Sequence, residues 1–172
     1  MPFNAIGEHI DVVRICAPMK IHVMVEKPLA TTVADAEEMA RLSKKYNTMV
    51  LTNYETTWYA TNQEIYSRAK ANGIGRIVKM IAHDGHEGPK EIGCSRFFLD
   101  WLTDPVKNGA GALNDFGCYG ANLFTWLMNN QMPVSVYAVT HQMKPAIYPR
   151  VDDDATIILK YPNATGIIEA SW

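Results

Sequence analysis

Apolar positions in the first fifty residues fall in short, unbroken runs. Residues 10–17 (IDVVRICA) and 21–26 (IHVMVE) are rich in valine and isoleucine, the composition of strands buried on both faces, and both are predicted as central parallel-type strands. Thr32, followed three residues later by Asp35, resembles a capping box, and Ala36, Met39, Ala40 and Leu42 carry a helical stripe to about Tyr46. Residues 48–53 (TMVLTN) are a third predicted strand. This order of strand, helix and strand is the α/β signature of a sheet with crossover helices.

The pattern then changes. A helix is predicted over 61–72, with Ile65 and Ala69 buried and Gly73 as a left-handed stop, followed by a strand over 76–83. Residues 84–93 are polar with three glycines, a loop long enough to face a ligand. Asp115 heads a helix whose Leu123, Trp126 and Leu127 point to one side and which stops near Asn129 and Asn130. Segments 134–141, 155–160 and 166–172 read as strands, and the turn chemistry of 161–164 (YPNA) makes the last two antiparallel. The second part is therefore α+β, an antiparallel sheet with a helix packed on it, and a composition shift over 53–58 (NYETTW) marks the border.

Charge and cysteine usage narrow the function classes. Sixteen basic and 18 acidic residues leave a net charge of -2, with no electrostatic footprint for nucleic acid or an anionic membrane. The three cysteines are widely spaced and form no CxxC pair, which suits a reducing compartment. The opening MPFNAIGEH lacks the basic start and apolar stretch of an export signal, and no run reaches the length of a membrane span, so a cytoplasmic location is expected.

Glu26, Lys27 and Pro28 stand where an apolar strand ends and a helix soon begins, which in an open α/β sheet is the edge where ligands bind; the alternative is a solvated lysine beside a strand-ending proline. Asp115 and Tyr119, four residues apart at a helix start, share one face and suit an acid/base pair, provided a cation such as Lys27 favours the phenolate. The same two residues also fit an N-cap and a core tyrosine. His83, Asp84, His86 and Glu87 lie close together without a further ligand at a recognised spacing, so no metal site is expected. The run of aspartates at 152–154 reads as a solvated turn. No GxGxxG phosphate cradle is present: residues 73–75 precede a strand, and Asn114 stands where the third glycine of 109–114 would be.

Taken together, IDVVRICAP, HVMVEKPLATTVADAEEMARLSKK, GIGRI and GAGALNDFGCYGANLFTWLM resemble the glucose-fructose oxidoreductase/inositol dehydrogenase (Gfo/Idh/MocA) family over nearly the whole chain from Asp11. The resemblance implies residues 1–54 as a partial Rossmann-type dinucleotide-binding domain and residues 55–172 as an α+β substrate or oligomerisation domain. It implies hydride transfer between a carbinol carbon of a sugar or polyol and the nicotinamide of NAD or NADP. Lys27 matches the EKP lysine beside nicotinamide and substrate, Asp115 the aspartate at the helix start, and Tyr119 the tyrosine of the glucose-fructose oxidoreductase branch and related dihydrodiol and xylose dehydrogenases. Ala17 and Pro18 match the small-residue and proline segment past the nicotinamide ribose, and Glu26 with Lys27 completes the expected cofactor contacts. In this scheme Tyr119 moves the hydroxyl proton, Lys27 lowers its pKa and polarises the substrate oxygen, and Asp115 orients the pair.

The same resemblance carries departures. The glycine-rich loop is missing, only Met19 and Lys20 separate the two early predicted strands, and the sequence ends after EASW, the pattern of a shortened, doubly truncated member. A homo-oligomer through the outer sheet face is expected. A non-catalytic sugar-binding or oligomerisation module, or an inactive fragment, are the competing readings.

Overall fold

The computed structural model describes residues 5–172; residues 1–4, the start of the stretch read for an export signal, lie outside them. Residues 10–17 are not a strand. They belong to a helix, α1 (His9–Cys16), that runs into a 3-10 turn over Ala17–Met19. Valine and isoleucine hide a helical spacing: Ile10, Val13 and Ala17 are buried, whereas Val12 and Ile15 face solvent. Arg14 then reaches outward to Asp11 and to Glu38 of the next helix.

Strand β1 (Val23–Glu26) follows, then α2 (Val33–Tyr46) and β2 (Val50–Asn53). The Thr32 hydroxyl accepts the Asp35 backbone N–H at 3.1 Å, the cap that the sequence announces, and Asn47 closes the helix in the left-handed region at φ 54°. Helix α2 is the crossover that makes β1 and β2 parallel, with Val23 opposite Val50 and Glu26 opposite Asn53. Because the segment before β1 is a helix, the two-residue gap after it poses no problem of strand pairing. Helices α1 and α2 cover one face of this pair, enclosing Val13, Val25, Met39 and Leu42. Its other face leaves Met24 and Leu51 open, so β1 is buried on one side and not on both.

Helix α3 (Ala60–Lys70) buries no residue; Ile65 is exposed and Ala69 only half-buried, and the left-handed stop is Asn72 at φ 56°, not Gly73. Strand β3 (Lys79–Gly85) runs further than the sequence predicts and takes in Asp84. A short helix, α4 (Arg96–Leu102), capped by Ser95, is not announced by the hydrophobic pattern. The predicted helix at Asp115 is two helices, α5 (Ala112–Asp115) and α6 (Gly117–Leu127), with a corner at Phe116. Asp115 therefore ends α5 and caps nothing.

Strands β4 (Ser135–His141), β5 (Asp154–Lys160) and β6 (Thr165–Ser171) complete a sheet of order β3-β6-β5-β4, antiparallel except for the β3/β6 pair. The result is the expected architecture, a Rossmann-like α/β fragment followed by a mainly antiparallel α+β unit. Helix α6 lies on the inner face against Met80, Ile157, Leu159 and Ile168. It can lie close because of Gly120, where a Cβ would come within 2.8 Å of the Ile168 side chain. Among the described residues no helix is long and apolar enough to cross a membrane. Ile168→Ala, at the centre of this contact, is expected to cost about 2–5 kcal/mol in urea unfolding, the range for emptying a buried aliphatic site.

Candidate active site

Three groups distant in sequence converge at the end of β1. Lys27 follows the last residue of the strand and its peptide to Pro28 is cis. Its ammonium donates to the Asp115 carbonyl at 2.9 Å and to the Asp115 carboxylate. The other carboxylate oxygen of Asp115 accepts the Trp172 indole N–H at 2.9 Å. Asp115 is 7% exposed, so a charge otherwise expensive to bury has a cation and a neutral donor beside it.

The α5 corner is held from below by the predicted solvated turn, which is not solvated. The Asp152 carboxylate accepts the Gly111 and Leu113 backbone N–H groups at 2.8 and 2.7 Å, and Asp153, almost wholly buried, accepts those of Met143 and Lys144. Gly111 has to be glycine, since a Cβ there would stand 1.7 Å from the Asp152 carbonyl oxygen. Asp152 thus fixes the short helix that ends in Asp115.

Tyr119 is buried in the first turn of α6, with its ring centroid 4.8 Å from the Lys27 ammonium; the Phe116 ring lies 5.7 Å away on the same cation. The structure thus brings together the predicted Lys27, Asp115 and Tyr119, with the lysine over the phenol ring and not bonded to its hydroxyl. Burial pushes the Tyr119 phenol up, and the charges of Glu55, Cys118, Asp115 and Asp84 push the same way. The expected lowering by a neighbouring cation does not prevail: the Lys27 ammonium is bonded to Asp115, and burial with the negative neighbours holds the phenol above its ordinary value. The Cys118 thiol, packed against the Asp115 carbonyl, is pushed up to about 12, chiefly by burial.

Two cavities adjoin these groups. One, of about 370 Å³, has Lys27, Glu26 and Asp115 at its polar end and Phe97, Phe98 and Trp101 of α4 as a wall. The other, of about 490 Å³, is lined by Tyr119, Asp84, Thr56 and Asn62. Glu26 also accepts an Asn53 side-chain N–H at 3.1 Å. Ala17 is buried in the first core and Pro18 is exposed beyond α1; neither lines the cavity beside Lys27.

The residues 84–93 do not form a free loop. Lys144 and the Tyr148 hydroxyl bind Glu91, and the His86 ring meets Phe116 edge-on at 4.9 Å. Trp172 and Asp152 are the participants that spacing does not reveal, because each bonds a partner far along the chain. Trp172→Phe removes the donor to a buried carboxylate and leaves part of the indole's volume empty, and is expected to cost at least about 1.5–3 kcal/mol in chemical unfolding, the range for a hydrogen bond to a charged group.

Comparison with known proteins agrees with this architecture. The family description "Oxidoreductase family, NAD-binding Rossmann fold" matches residues 3–54, and "GFO/IDH/MocA C-terminal domain" matches residues 62–172. The chain is 28% identical over 153 residues to trans-1,2-dihydrobenzene-1,2-diol dehydrogenase of Xenopus tropicalis, a match covering 89% of this chain and 42% of that enzyme. Among solved structures it superposes on an aldose-aldose oxidoreductase of Caulobacter crescentus complexed with glycerol, with a TM-score of 0.81 and 26% identity over 98% of this chain and 49% of the other. An inositol dehydrogenase homologue of Azotobacter vinelandii complexed with NAD+ shares the fold, with a TM-score of 0.82 and 22% identity over 97% and 43% of the two chains. The chain spans less than half the length of these relatives. With both parts of the family's architecture matched and its EKP and GALxDxG residues meeting in space, the chain belongs to the GFO/IDH/MocA oxidoreductase family.

Proposed function

We propose that this chain carries the catalytic residues of an NAD(P)-dependent oxidoreductase acting on a carbinol carbon of a sugar or polyol. The observation that carries the reading is the meeting of Lys27, Asp115 and Tyr119 across two units of the fold. The residues beside Lys27 fit a nicotinamide ring: Phe97, Phe98 and Trp101 offer a flat apolar wall, and the side-chain oxygen of Asn108 in the same lining is buried with no hydrogen-bond partner among the described residues. Such an acceptor suits a carboxamide N–H. Glu26 and Lys27 border that cavity, and nicotinamide, when bound, supplies or accepts the hydride.

The chain's own residues handle the proton and the charge. An ammonium has three N–H groups; two of Lys27's go to Asp115, leaving one for a substrate oxygen. Asp115 fixes the direction of that ammonium. Tyr119, held protonated by its surroundings, is a proton donor to an alkoxide, which suits the direction from carbonyl to alcohol. A cytoplasmic setting goes with the free thiols of Cys16, Cys94 and Cys118.

A second copy of the chain is the proposed partner for the outer face of the larger sheet. There Ile81, Ile167, Ile158 and Tyr137 stand in register as an apolar row, with Tyr137 65% exposed. Light scattering is expected to give a dimer or larger species that Tyr137→Glu converts to the monomer.

Titration with NADH and NADPH, read by cofactor fluorescence, tests the main reading. Saturable binding weakened at least about tenfold by Lys27→Ala is expected, whereas Tyr119→Phe should bind cofactor unchanged and lose about 10²- to 10⁴-fold in turnover. A folded protein that binds neither cofactor would put the non-catalytic sugar-binding module ahead.

A further inference from the structure

The larger cavity holds polar groups that the proton and hydride chemistry does not use. Asp84 lies on the inner face of β3 together with Met80 and Ala82, and so projects from the sheet toward α6. It shares the cavity with Tyr119, Asn62 and Thr56. The Thr56 hydroxyl oxygen is buried with no hydrogen-bond partner among the described residues, a group able both to donate and to accept. Asp84 has the Gly85 backbone N–H, and the cation whose field reaches it, Lys27, gives its ammonium to Asp115 instead.

Counting charges decides what such a cavity accepts. Lys27 and Asp115 cancel as a pair, which leaves Asp84 and Glu55 as negative charges acting on Tyr119 with no ion-pair partner among the described residues. A hydroxyl or ammonium entering beside Tyr119 finds acceptors, while a carboxylate or phosphate meets like charge at short range. We propose that Asp84 is a specificity-determining residue: its carboxylate accepts hydrogen bonds from a neutral or amino-bearing polyhydroxyl ring lying against Tyr119 and turns acidic sugars away. The inference rests on the proposed oxidoreductase reading and names the substrate class for the same site.

The test uses three forms of one ring, glucose, glucosamine and glucuronate, with the full chain and its Asp84→Asn variant. Ligand-observed saturation-transfer NMR measures binding with NADH absent and present. Glucose and glucosamine are expected to saturate and glucuronate to bind at least about tenfold more weakly. Asp84→Asn should weaken glucose about tenfold, the loss of a hydrogen bond to a charged group, and bring glucuronate to within about threefold of it. Equal binding of glucuronate by the unaltered chain, unchanged discrimination in the variant, or no saturation by any of the three would overturn the assignment. NADH fluorescence on the same samples separates the two failures: cofactor binding without ring binding sinks Asp84's role alone, and loss of both sinks the oxidoreductase reading.

Stability gives a second readout. Burial pushes the Asp84 carboxyl above its ordinary value. The folded state then binds more protons than the unfolded one, so ionising this group costs stability as pH rises from the ordinary aspartate range through the raised value. Asp84→Asn removes that cost and should melt a few degrees above the unaltered chain at neutral pH, with the gap closing in acid. A variant that melts lower at neutral pH would mark Asp84 as structural and overturn the proposal.

Discussion

An ammonium and a carboxylate taken out of water must meet, and here they do so across 88 residues, from the end of β1 to the corner between α5 and α6. Removing either partner of such a pair leaves an uncompensated buried charge, typically a loss of about 3–5 kcal/mol. The rest of the site arranges itself around this demand. Asp152 holds the α5 backbone so that Asp115 points the right way, Gly111 lets the two chains approach, and the indole of Trp172 takes the carboxylate oxygen that Lys27 leaves. Elements from the first and last thirds of the chain are thus tied to one ion pair.

That commitment sets the electrostatics of everything nearby. Because Lys27 answers to Asp115, Tyr119 is left with burial and negative neighbours, and its proton is held more tightly than in water. The cation still lies over the phenol ring, where it meets the negative π-face without reaching the hydroxyl oxygen. One lysine therefore does two separable jobs: neutralising a carboxylate and packing on an aromatic face.

The sequence disclosed much of the scaffold and the identities at the site, but not how they are held. Helix α2 with its Thr32 cap, the parallel β1 and β2, and the β5/β6 hairpin follow from local chemistry and are found where the pattern puts them. Residues 10–17 mislead because β-branched composition outweighs the spacing of Ile10, Val13 and Ala17, which only burial exposes as helical. The aspartates at 152 and 153 look solvated in isolation, since their N–H partners at Gly111, Leu113, Met143 and Lys144 come from other segments. Trp172 is silent for the same reason: nothing local links it to a carboxylate 57 residues earlier.

The length of chain between Lys27 and Asp115 also orders events in time. The β1-α2-β2 unit and the β5/β6 hairpin close short loops, whereas the ion pair must wait until both units exist and can be brought together. A molecule part-way through folding can hold its secondary structure and still have no site. Competence to bind is thus a property of the contact between the two units and of neither unit alone.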